Sequence, residues 1–271
     1  NKKISSSVFN TKIKKIKIKI PKPKLWSIEQ PNLYDFVFTL ISEKNNKTLD
    51  RVKSYGGMRS IEVKKNKVYL NNKPLYQRLV LDQGFYPDGI WTAPTDKALK
   101  NDIILSMKAG FNGARLHEKV FEDRFHYWAD KLGYITWAEW GNWGANENAK
   151  GTETAFMHEW PKIVEHLKNH PSIITWTPFN ETNTLECNAQ HKKLMRLAYD
   201  VTKKIDPTRP VNETSGYQHQ KTDIWTVHHY EPKPDKLMQA LNPKKGVYRN
   251  FPKFETSYNC LLYTSPSPRD E

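Results

Sequence analysis

The stretch that decides the fold is His170-Pro171-Ser172-Ile173-Ile174-Thr175-Trp176-Thr177-Pro178-Phe179-Asn180-Glu181. Its β-branched and apolar centre, followed abruptly by an Asn-Glu pair, is typical of a buried strand in a parallel sheet. Such a strand carries the carboxylate of Glu181 to its C-terminal end. In closed parallel α/β barrels that end forms the mouth at which chemistry takes place. The sequence therefore predicts a functional site around Glu181.

Strand and helix patterns alternate on both sides of this stretch from residue 76 onward. Further strands are expected near 78–81, 111–116, 134–138, 211, 224–228 and 251–255, and helices near 95–109, 122–132, 155–169 and 189–205. Thr95 is suited to cap the first helix, and Gly110 and Gly133 to end the first and second. This alternation predicts the parallel sheet of a (β/α)8 TIM barrel. Seven strands are identified, so we interpret the barrel as C-terminally truncated.

Residues 1–62 show the two-residue period of antiparallel strands instead. Lys and Ile alternate over residues 12–20, which favours an edge strand with Ile inward and Lys in solvent. A second strand is expected over 33–41, followed by a polar turn at 43–47. A small hairpin over 68–75 is expected to turn at Asn71-Asn72. We interpret residues 1–62 as part of an antiparallel sandwich.

Several segments resemble glycoside hydrolase family 2, the family of β-galactosidases, β-glucuronidases and β-mannosidases. They are the strand ending in Asn180-Glu181, KLWSIEQPNLY at 24–34, YGGMR at 55–59, FNGARLH at 111–117 and DPTRPV at 206–211. The resemblance implies the C-terminal part of an immunoglobulin-like β-sandwich over 1–62 and an incomplete TIM-barrel catalytic domain over 63–259. It also implies hydrolysis of glycosidic bonds without a cofactor.

The resemblance assigns catalytic and substrate-binding roles. Retaining glycosidases use two carboxyls about 5–5.5 Å apart, one as acid/base and one as nucleophile. Glu181 matches the acid/base, and Asn180 would hydrogen-bond the sugar 2-hydroxyl. Burial beside Pro178 and Phe179 is expected to raise the pKa of Glu181. Other expected substrate contacts are Arg115, His117, Glu139, His228, His229, Tyr230 and Trp225.

Structural roles are open for some of these residues. Arg115 and His117 could instead form an internal salt bridge, with Glu139 as the partner of Arg115. Trp140, Trp143 and Trp225 could stack on sugars or pack in the core. No metal site is expected, because the histidine pair at 228–229 has no Glu or Cys at a useful ligand spacing.

The nucleophile is less clearly indicated. Residues 248–259 resemble the seventh-strand motif, but an ungapped alignment from Pro252 places Ser257 where the family has its Glu. Glu255 lies two residues earlier, which shifts a side chain by ~6–7 Å along a strand. Either Glu255 attacks through a local irregularity, or the carboxylate is absent. Serine cannot replace it without an adjacent base.

The composition narrows the function classes. The formal net charge of +14 comes from 43 Lys and Arg against 29 Asp and Glu. Much of the excess follows the strand-patterned segment 12–20, and no recognition motif is present, so a nucleic-acid partner is not expected. No apolar run reaches ~18 residues, so no membrane span is expected.

Both ends of the chain look cut. Residues 260–271 resemble a reading frame of a sequencing-transposon adapter, or alternatively a Pro/Ser-rich disordered tail, and are not expected to replace a barrel strand. No signal peptide is identified. The two cysteines imply no disulfide framework, so they do not indicate the cellular compartment. A periplasmic or extracellular location is favoured over the cytoplasm.

The sequence thus favours a retaining exo-β-glycosidase that acts on terminal β-linked sugars of an oligo- or polysaccharide. The alternative is a non-catalytic carbohydrate-binding relative that lacks the nucleophile. A homo-oligomer is open for the full-length protein, and the 271-residue chain itself is expected to be inactive.

Overall fold

The computed structural model describes residues 4–10, 12, 16–64, 67–182, 188–216, 219–242, 244–246 and 261–265, the last of these as backbone alone. The strands are β1 (Tyr34–Ile41), β2 (Thr48–Gly56), β3 (Ile61–Lys64), β4 (Lys67–Leu70), β5 (Lys73–Leu75), β6 (Leu79–Asp82), β7 (Gly113–Leu116), β8 (Ile135–Glu139), β9 (Ile173–Thr177), β10 (Phe179–Asn180), β11 (Thr214–Ser215), β12 (Ile224–His228) and β13 (Leu261–Ser265). The helices are α1 (Asp96–Lys108), α2 (Asp123–Leu132), α3 (Lys150–Leu167), α4 (Ala189–Ile205) and α5 (Pro234–Ala240).

The N-terminal part consists of antiparallel strands. β1 pairs with β2, and β3, β4 and β5 form a second small sheet. The hairpin predicted at Asn71-Asn72 is confirmed, with φ of 51° and 64° at the two residues. Asparagine tolerates this left-handed conformation better than most residues, and two such residues build the tight turn that joins twisted strands.

The edge strand predicted over 12–20 is wrong for the residues described there. Residues 16–20 form no strand, and Ile16 and Ile18 are exposed. A strand needs backbone partners and an apolar layer beneath its inward face. Among the described residues no strand pairs with this segment, so its alternating pattern has no surface to bury against.

The parallel array expected of a TIM barrel is confirmed. β6, β7, β8 and β9 form a four-stranded parallel sheet in chain order. The chain continues this order, because Trp176 on β9 bridges Val211, β10 pairs with β11, and β12 pairs with β13, all in parallel. Helices α1 to α4 lie between successive strands, so the carboxyl ends of the strands gather at one mouth.

The neighbour of β12 differs from expectation. The strand predicted over 251–255 lies outside the described residues. The backbone of Leu261–Ser265 instead pairs with β12, from Ile224↔Leu261 to His228↔Ser265. The expectation that residues 260–271 contribute no barrel strand is therefore wrong over this segment. An open parallel edge accepts hydrogen bonds from any extended backbone, whatever its side chains.

The helix boundaries follow local signals. The Thr95 side chain accepts a hydrogen bond from the Ala98 N–H, and Gly133 ends α2 with a φ of 75°. A Cβ at Gly133 would also lie 2.1 Å from the Ile28 carbonyl oxygen, so the position admits only glycine. α3 begins at Lys150, earlier than expected, because its polar first turn gave no apolar period. No helix among the described residues is long and apolar enough to cross a membrane.

A buried aspartate joins the N-terminal part to the barrel. Asp130 on α2 is fully buried, and its carboxylate accepts hydrogen bonds from the Tyr55 hydroxyl at 2.8 Å and the Ser172 N–H at 2.9 Å. The same carboxylate lies 2.6 Å from Nδ1 of His170, and its backbone oxygen accepts from the Trp26 indole. The loop before β9 is thereby fixed against the preceding segment.

We predict that Asp130→Ala lowers the free energy of unfolding by roughly 3 kcal/mol, because the Tyr55 hydroxyl, the Ser172 N–H and the His170 imidazole lose their buried hydrogen-bond partner. Urea denaturation measures the change. Asp200→Ala is the matched control, since Asp200 also lies on a helix but is exposed and pairs with Lys221. The control should change stability by less than about 1 kcal/mol. Equal losses in the two variants would contradict this role of Asp130.

Candidate active site

The centre of the barrel mouth is the buried guanidinium of Arg115, which β7 carries to its C-terminal end. It donates to the Glu139 carboxylate at the end of β8 and to the amide oxygen of Asn180 at the end of β10. It also lies 3.1 Å from Nδ1 of His117 and 3.4 Å from Nε2 of His228. The ion pair with Glu139, which the sequence left open, is present.

Glu139 is held in its ionised form by its neighbours. Burial raises the pKa of Glu139, but Arg115 and His117 outweigh it and hold the pKa below its usual value. Its Oε2 lies 3.0 Å from Nδ1 of His117 and accepts from the Glu118 N–H at 3.0 Å. Glu139 is 1% exposed, so its first task is to neutralise and orient Arg115.

The loop after β8 orients Asn180. The Asn142 side chain accepts from the Asn180 N–H at 2.7 Å and donates to the Asn180 carbonyl at 3.0 Å. The N–H groups of Asn142 and Trp143 donate to Oε2 of Glu118 at 2.7 and 2.9 Å. Burial and the charge of Glu139 raise the pKa of Glu118 to about 7, against the effect of those N–H donors.

Glu181 follows β10 in a left-handed backbone conformation, with a φ of 42°. Its N–H donates to the Ser215 carbonyl at 2.8 Å, which fixes the backbone beside β11. Its Oε1 accepts hydrogen bonds from Nδ1 of His228 and from the hydroxyl of Tyr230. A non-glycine residue in this region is strained, and such strain is concentrated at functional sites.

The pKa of Glu181 differs from expectation. Burial raises this pKa, but the hydrogen bonds from His228 and Tyr230 and the charges of His228 and Arg115 outweigh it and lower the pKa to about 2. The raised value expected from Pro178 and Phe179 is therefore wrong in this arrangement. The sequence indicated the apolar neighbours but not the donors, which come from the strand after next.

His228 is positioned as a donor to Glu181. Burial and the charge of Arg115 lower the pKa of His228, although Glu181 opposes them. Nδ1 of His228 is hydrogen-bonded to Glu181, and Nε2 lies 2.9 Å from Oγ of Ser215. Gly216, with a φ of 83°, leaves room for this ring, since a Cβ there would lie 3.0 Å from it. His229 is half-buried next along the chain.

The three tryptophans separate into two groups. Trp140 is buried against Phe156 and Phe179, with ring centroids 5.3 Å from each. Trp225 is 8% exposed, and its ring lies 5.7 Å from that of His219. The assignment of Trp225 to an open sugar platform is therefore corrected to packing, because its side chain leaves β12 on the face opposite His228. Trp143 is 65% exposed.

Glu255, the candidate nucleophile, and Ser257, which occupies the family position in the ungapped alignment, both lie outside the described residues. A group of metal-compatible atoms does occur, since donor atoms of His117, Glu118 and Glu139 lie within 4.8 Å of one another. Arg115 already neutralises the carboxylate of Glu139 and would repel a metal cation. The ion-pair network around Arg115 therefore accounts for the close approach of these three side chains.

Glu118, Asn142 and Ser215 were not identified from the sequence. Glu118 and Asn142 follow the ends of β7 and β8 by two and three residues, and Ser215 is the last residue of β11. Their position at or just beyond the carboxyl end of a barrel strand was the available signal.

The family of the chain follows from its similarity to known proteins. Residues 1–59 match glycosyl hydrolases family 2, and residues 61–258 match the TIM barrel domain of the same family. The chain belongs to glycosyl hydrolases family 2.

Named relatives include β-galactosidases and β-glucuronidases. A β-galactosidase of Pseudoalteromonas haloplanktis is 32% identical over 234 residues, which cover 81% of this chain and 20% of that protein. The structure of an FMN-binding β-glucuronidase from Facaelibacterium prausnitzii L2-6 is similar with a TM-score of 0.70 and 25% identity, covering 78% of this chain and 34% of that one. The structure of Bacteroides uniformis β-glucuronidase 2, covalently bound to cyclophellitol-6-carboxylate aziridine, is similar with a TM-score of 0.62 and 25% identity. The match covers 77% of this chain and 25% of that one. The chain spans about one fifth of the length of the curated relatives it matches.

We predict that Tyr230→Phe raises the pKa of Glu181 from about 2 towards its usual 4.5, because one donor to the ionised form is lost. The depressed pKa contributes stability that is present above pH 4.5 and is lost as the pH falls through about 2. In the variant that contribution should be smaller, and its loss should be complete at a higher pH. The ¹³C carboxyl titration of Glu181, identified by its absence in Glu181→Gln, measures the shift. Tyr76→Phe is the control, and an unchanged titration in Tyr230→Phe would contradict the prediction.

Proposed function

We propose that the protein carrying this chain is a retaining exo-β-glycosidase that releases terminal β-linked sugars from oligo- or polysaccharides. The observation that carries the proposal is the position of Glu181, a carboxylate on a strained backbone directly after β10, in a member of a glycoside hydrolase family. Asn180 and Arg115 lie directly beside it in hydrogen-bonded contact with each other. Family membership supports glycosidic hydrolysis, and the arrangement of these side chains supports the assignment of roles.

In the proposed mechanism Glu181 protonates the glycosidic oxygen while a carboxylate from the segment 248–259 attacks the anomeric carbon. The glycosyl–carboxylate bond forms as the bond to the leaving group breaks, and the leaving group departs with the proton of Glu181. Glu181 then removes a proton from water, which attacks the anomeric carbon and releases the nucleophile. Asn180, which Arg115 and Asn142 hold in place, is available to the sugar 2-hydroxyl.

Glu181 must gain a proton before the first step, although its pKa is about 2 in this arrangement. Two changes would raise that pKa in the substrate complex. A sugar that takes over the Tyr230 hydroxyl removes a donor to the ionised form, and a second carboxylate about 5–5.5 Å away adds a repelling charge. In the proposed cycle the pKa of Glu181 therefore rises when substrate and nucleophile are both in place.

A covalent intermediate agrees with what is known of one relative. The β-glucuronidase 2 of Bacteroides uniformis is covalently bound to a cyclophellitol aziridine. Glycosidases that use a nucleophile form such adducts on a carboxylate at the position of glycosyl transfer. By analogy we assign the attack in this protein to a carboxylate in the segment 248–259.

We predict that Glu181→Gln in the protein carrying this chain lowers turnover of substrates with poor leaving groups at least ~100-fold. Activated aryl β-glycosides need less protonation and should be partly spared, and azide should restore their turnover by attacking the intermediate. Initial rates on alkyl and dinitrophenyl β-galactosides and β-glucuronides, with and without azide, measure the effect. Glu165→Gln, an exposed control on α3, should change nothing. Equal losses on both substrate types without azide rescue would show that Glu181 is not the acid/base.

The nucleophile position can be tested directly. A side chain two residues away is displaced by ~6–7 Å, so we expect Glu255 to be a poor substitute for a carboxylate at position 257. The 271-residue chain itself is expected to be inactive. In the protein carrying this chain, Ser257→Glu should increase hydrolysis of aryl β-glycosides, and Glu255→Gln should have little effect. Release of the β-anomer, followed by NMR, would establish retention. Loss of an existing activity in Glu255→Gln would assign the attack to Glu255 instead.

The serine at position 257 also favours a second candidate, a carbohydrate-binding relative without catalysis. Such a protein would bind glycosides through the Arg115 network and release no sugar. If Ser257→Glu binds glycosides but remains inactive, this candidate replaces the enzyme.

A further inference from the structure

The loop after β6 exposes a group of apolar side chains that packing does not require. Phe85, Ile90 and Trp91 are 59%, 70% and 54% exposed. The rings of Phe85 and Trp91 lie side by side, with centroids 6.0 Å apart and planes inclined by 30°. A contiguous exposed apolar surface of this kind is typical of a binding site. We call residues 83–92 the aromatic hairpin.

The aromatic hairpin is held in a fixed conformation. Its two sides are joined at Tyr86 and Ile90, whose N–H and C=O groups exchange hydrogen bonds of 2.8 and 2.9 Å. The Tyr86 hydroxyl donates to Asp102 on α1 at 2.7 Å. The Lys119 ammonium donates to the carbonyls of Gly84 at 2.9 Å and Trp91 at 2.7 Å, so it ties both ends of the hairpin to the segment after β7.

Ile90 adds a sign of strain. Its φ is 56°, although a β-branched residue is disfavoured in the left-handed region. Strain of this kind persists only where the surroundings fix the backbone, and it is concentrated at ligand-binding and catalytic sites. In this protein the strained residue, Ile90, lies in the turn that brings Trp91 next to Phe85.

The aromatic hairpin belongs to the same edge of the barrel as the active site. It begins directly after Asp82, the last residue of β6, whose carbonyl accepts from the His117 N–H at 2.7 Å. Lys119, which holds it, follows Glu118, the residue that also holds the Trp143 backbone. The backbone of the aromatic hairpin is therefore attached to the rim of the barrel mouth, beside the strand end that is followed by His117.

We propose that the aromatic hairpin binds the sugar unit on the leaving-group side of the scissile bond, by stacking Phe85 and Trp91 against a pyranose ring. A pyranose has faces of C–H groups between its hydroxyls, and a flat aromatic surface is complementary to such a face. The terminal sugar occupies the Arg115 and Glu181 end of the site, so the next unit of the chain emerges over the rim. This inference rests on the proposed function and extends it to the leaving group.

The test compares two hydrolysis-resistant probes by calorimetry on the protein carrying this chain. One is an S-linked galactosyl-β-1,4-glucoside, and the other is methyl 1-thio-β-D-galactopyranoside, which lacks the second ring. Phe85→Ala combined with Trp91→Ala should raise the Kd of the disaccharide about tenfold and that of the monosaccharide by less than about twofold. Trp91→Tyr, which keeps a ring, should retain most of the affinity.

Tyr76→Ala is the matched control, because Tyr76 is 78% exposed but precedes β6 and so lies at the opposite end of the barrel. It should leave both Kd values unchanged. If the double variant weakens both probes equally or neither, the aromatic hairpin is not a sugar site, and the proposed function still stands. If the unmodified protein binds neither these probes nor the corresponding S-linked β-glucuronides, both proposals fail. If the disaccharide preference is lost as expected but Glu181→Gln leaves hydrolysis intact, only the catalytic assignment fails.

Discussion

The site depends on one buried cation. The Arg115 guanidinium touches Glu139, Asn180, His117 and His228, side chains that come from or directly follow β7, β8, β10 and β12. A charge in this position is costly unless it is paired and hydrogen-bonded, so each partner is constrained in turn. The carboxyl ends of the strands are thereby fixed relative to one another before any substrate arrives.

The ionised state of Glu181 follows from the same network. Burial, and with it the charge of Arg115, lowers the pKa of His228, whose Nδ1 is hydrogen-bonded to Glu181. Together with Tyr230 this holds the carboxylate of Glu181 negative. A proton can therefore be taken up only when a substrate or a second carboxylate changes the balance, which would couple protonation to substrate binding.

Local signals in the sequence were reliable where one residue type meets one backbone requirement. Asn71-Asn72 built the predicted turn, Thr95 capped α1, and Gly133 ended α2. Patterns that depend on a distant partner were not. The alternation over 12–20 has no layer to pack against among the described residues, and residues 261–265 pair with β12 through backbone groups that a sequence pattern does not distinguish.

The sequence by itself determined the order of strands and helices, the barrel class, and the presence of Glu181, Asn180, Arg115 and His228 at strand ends, because periodicity and chain order fix which end of a parallel strand faces the mouth. Tertiary structure alone decided the ionisation of Glu181, the burial of Trp225 and the exposure of the rings of Phe85 and Trp91. These properties depend on distances between residues far apart in the chain. Electrostatic interaction and burial follow those distances, which no local pattern of residues contains.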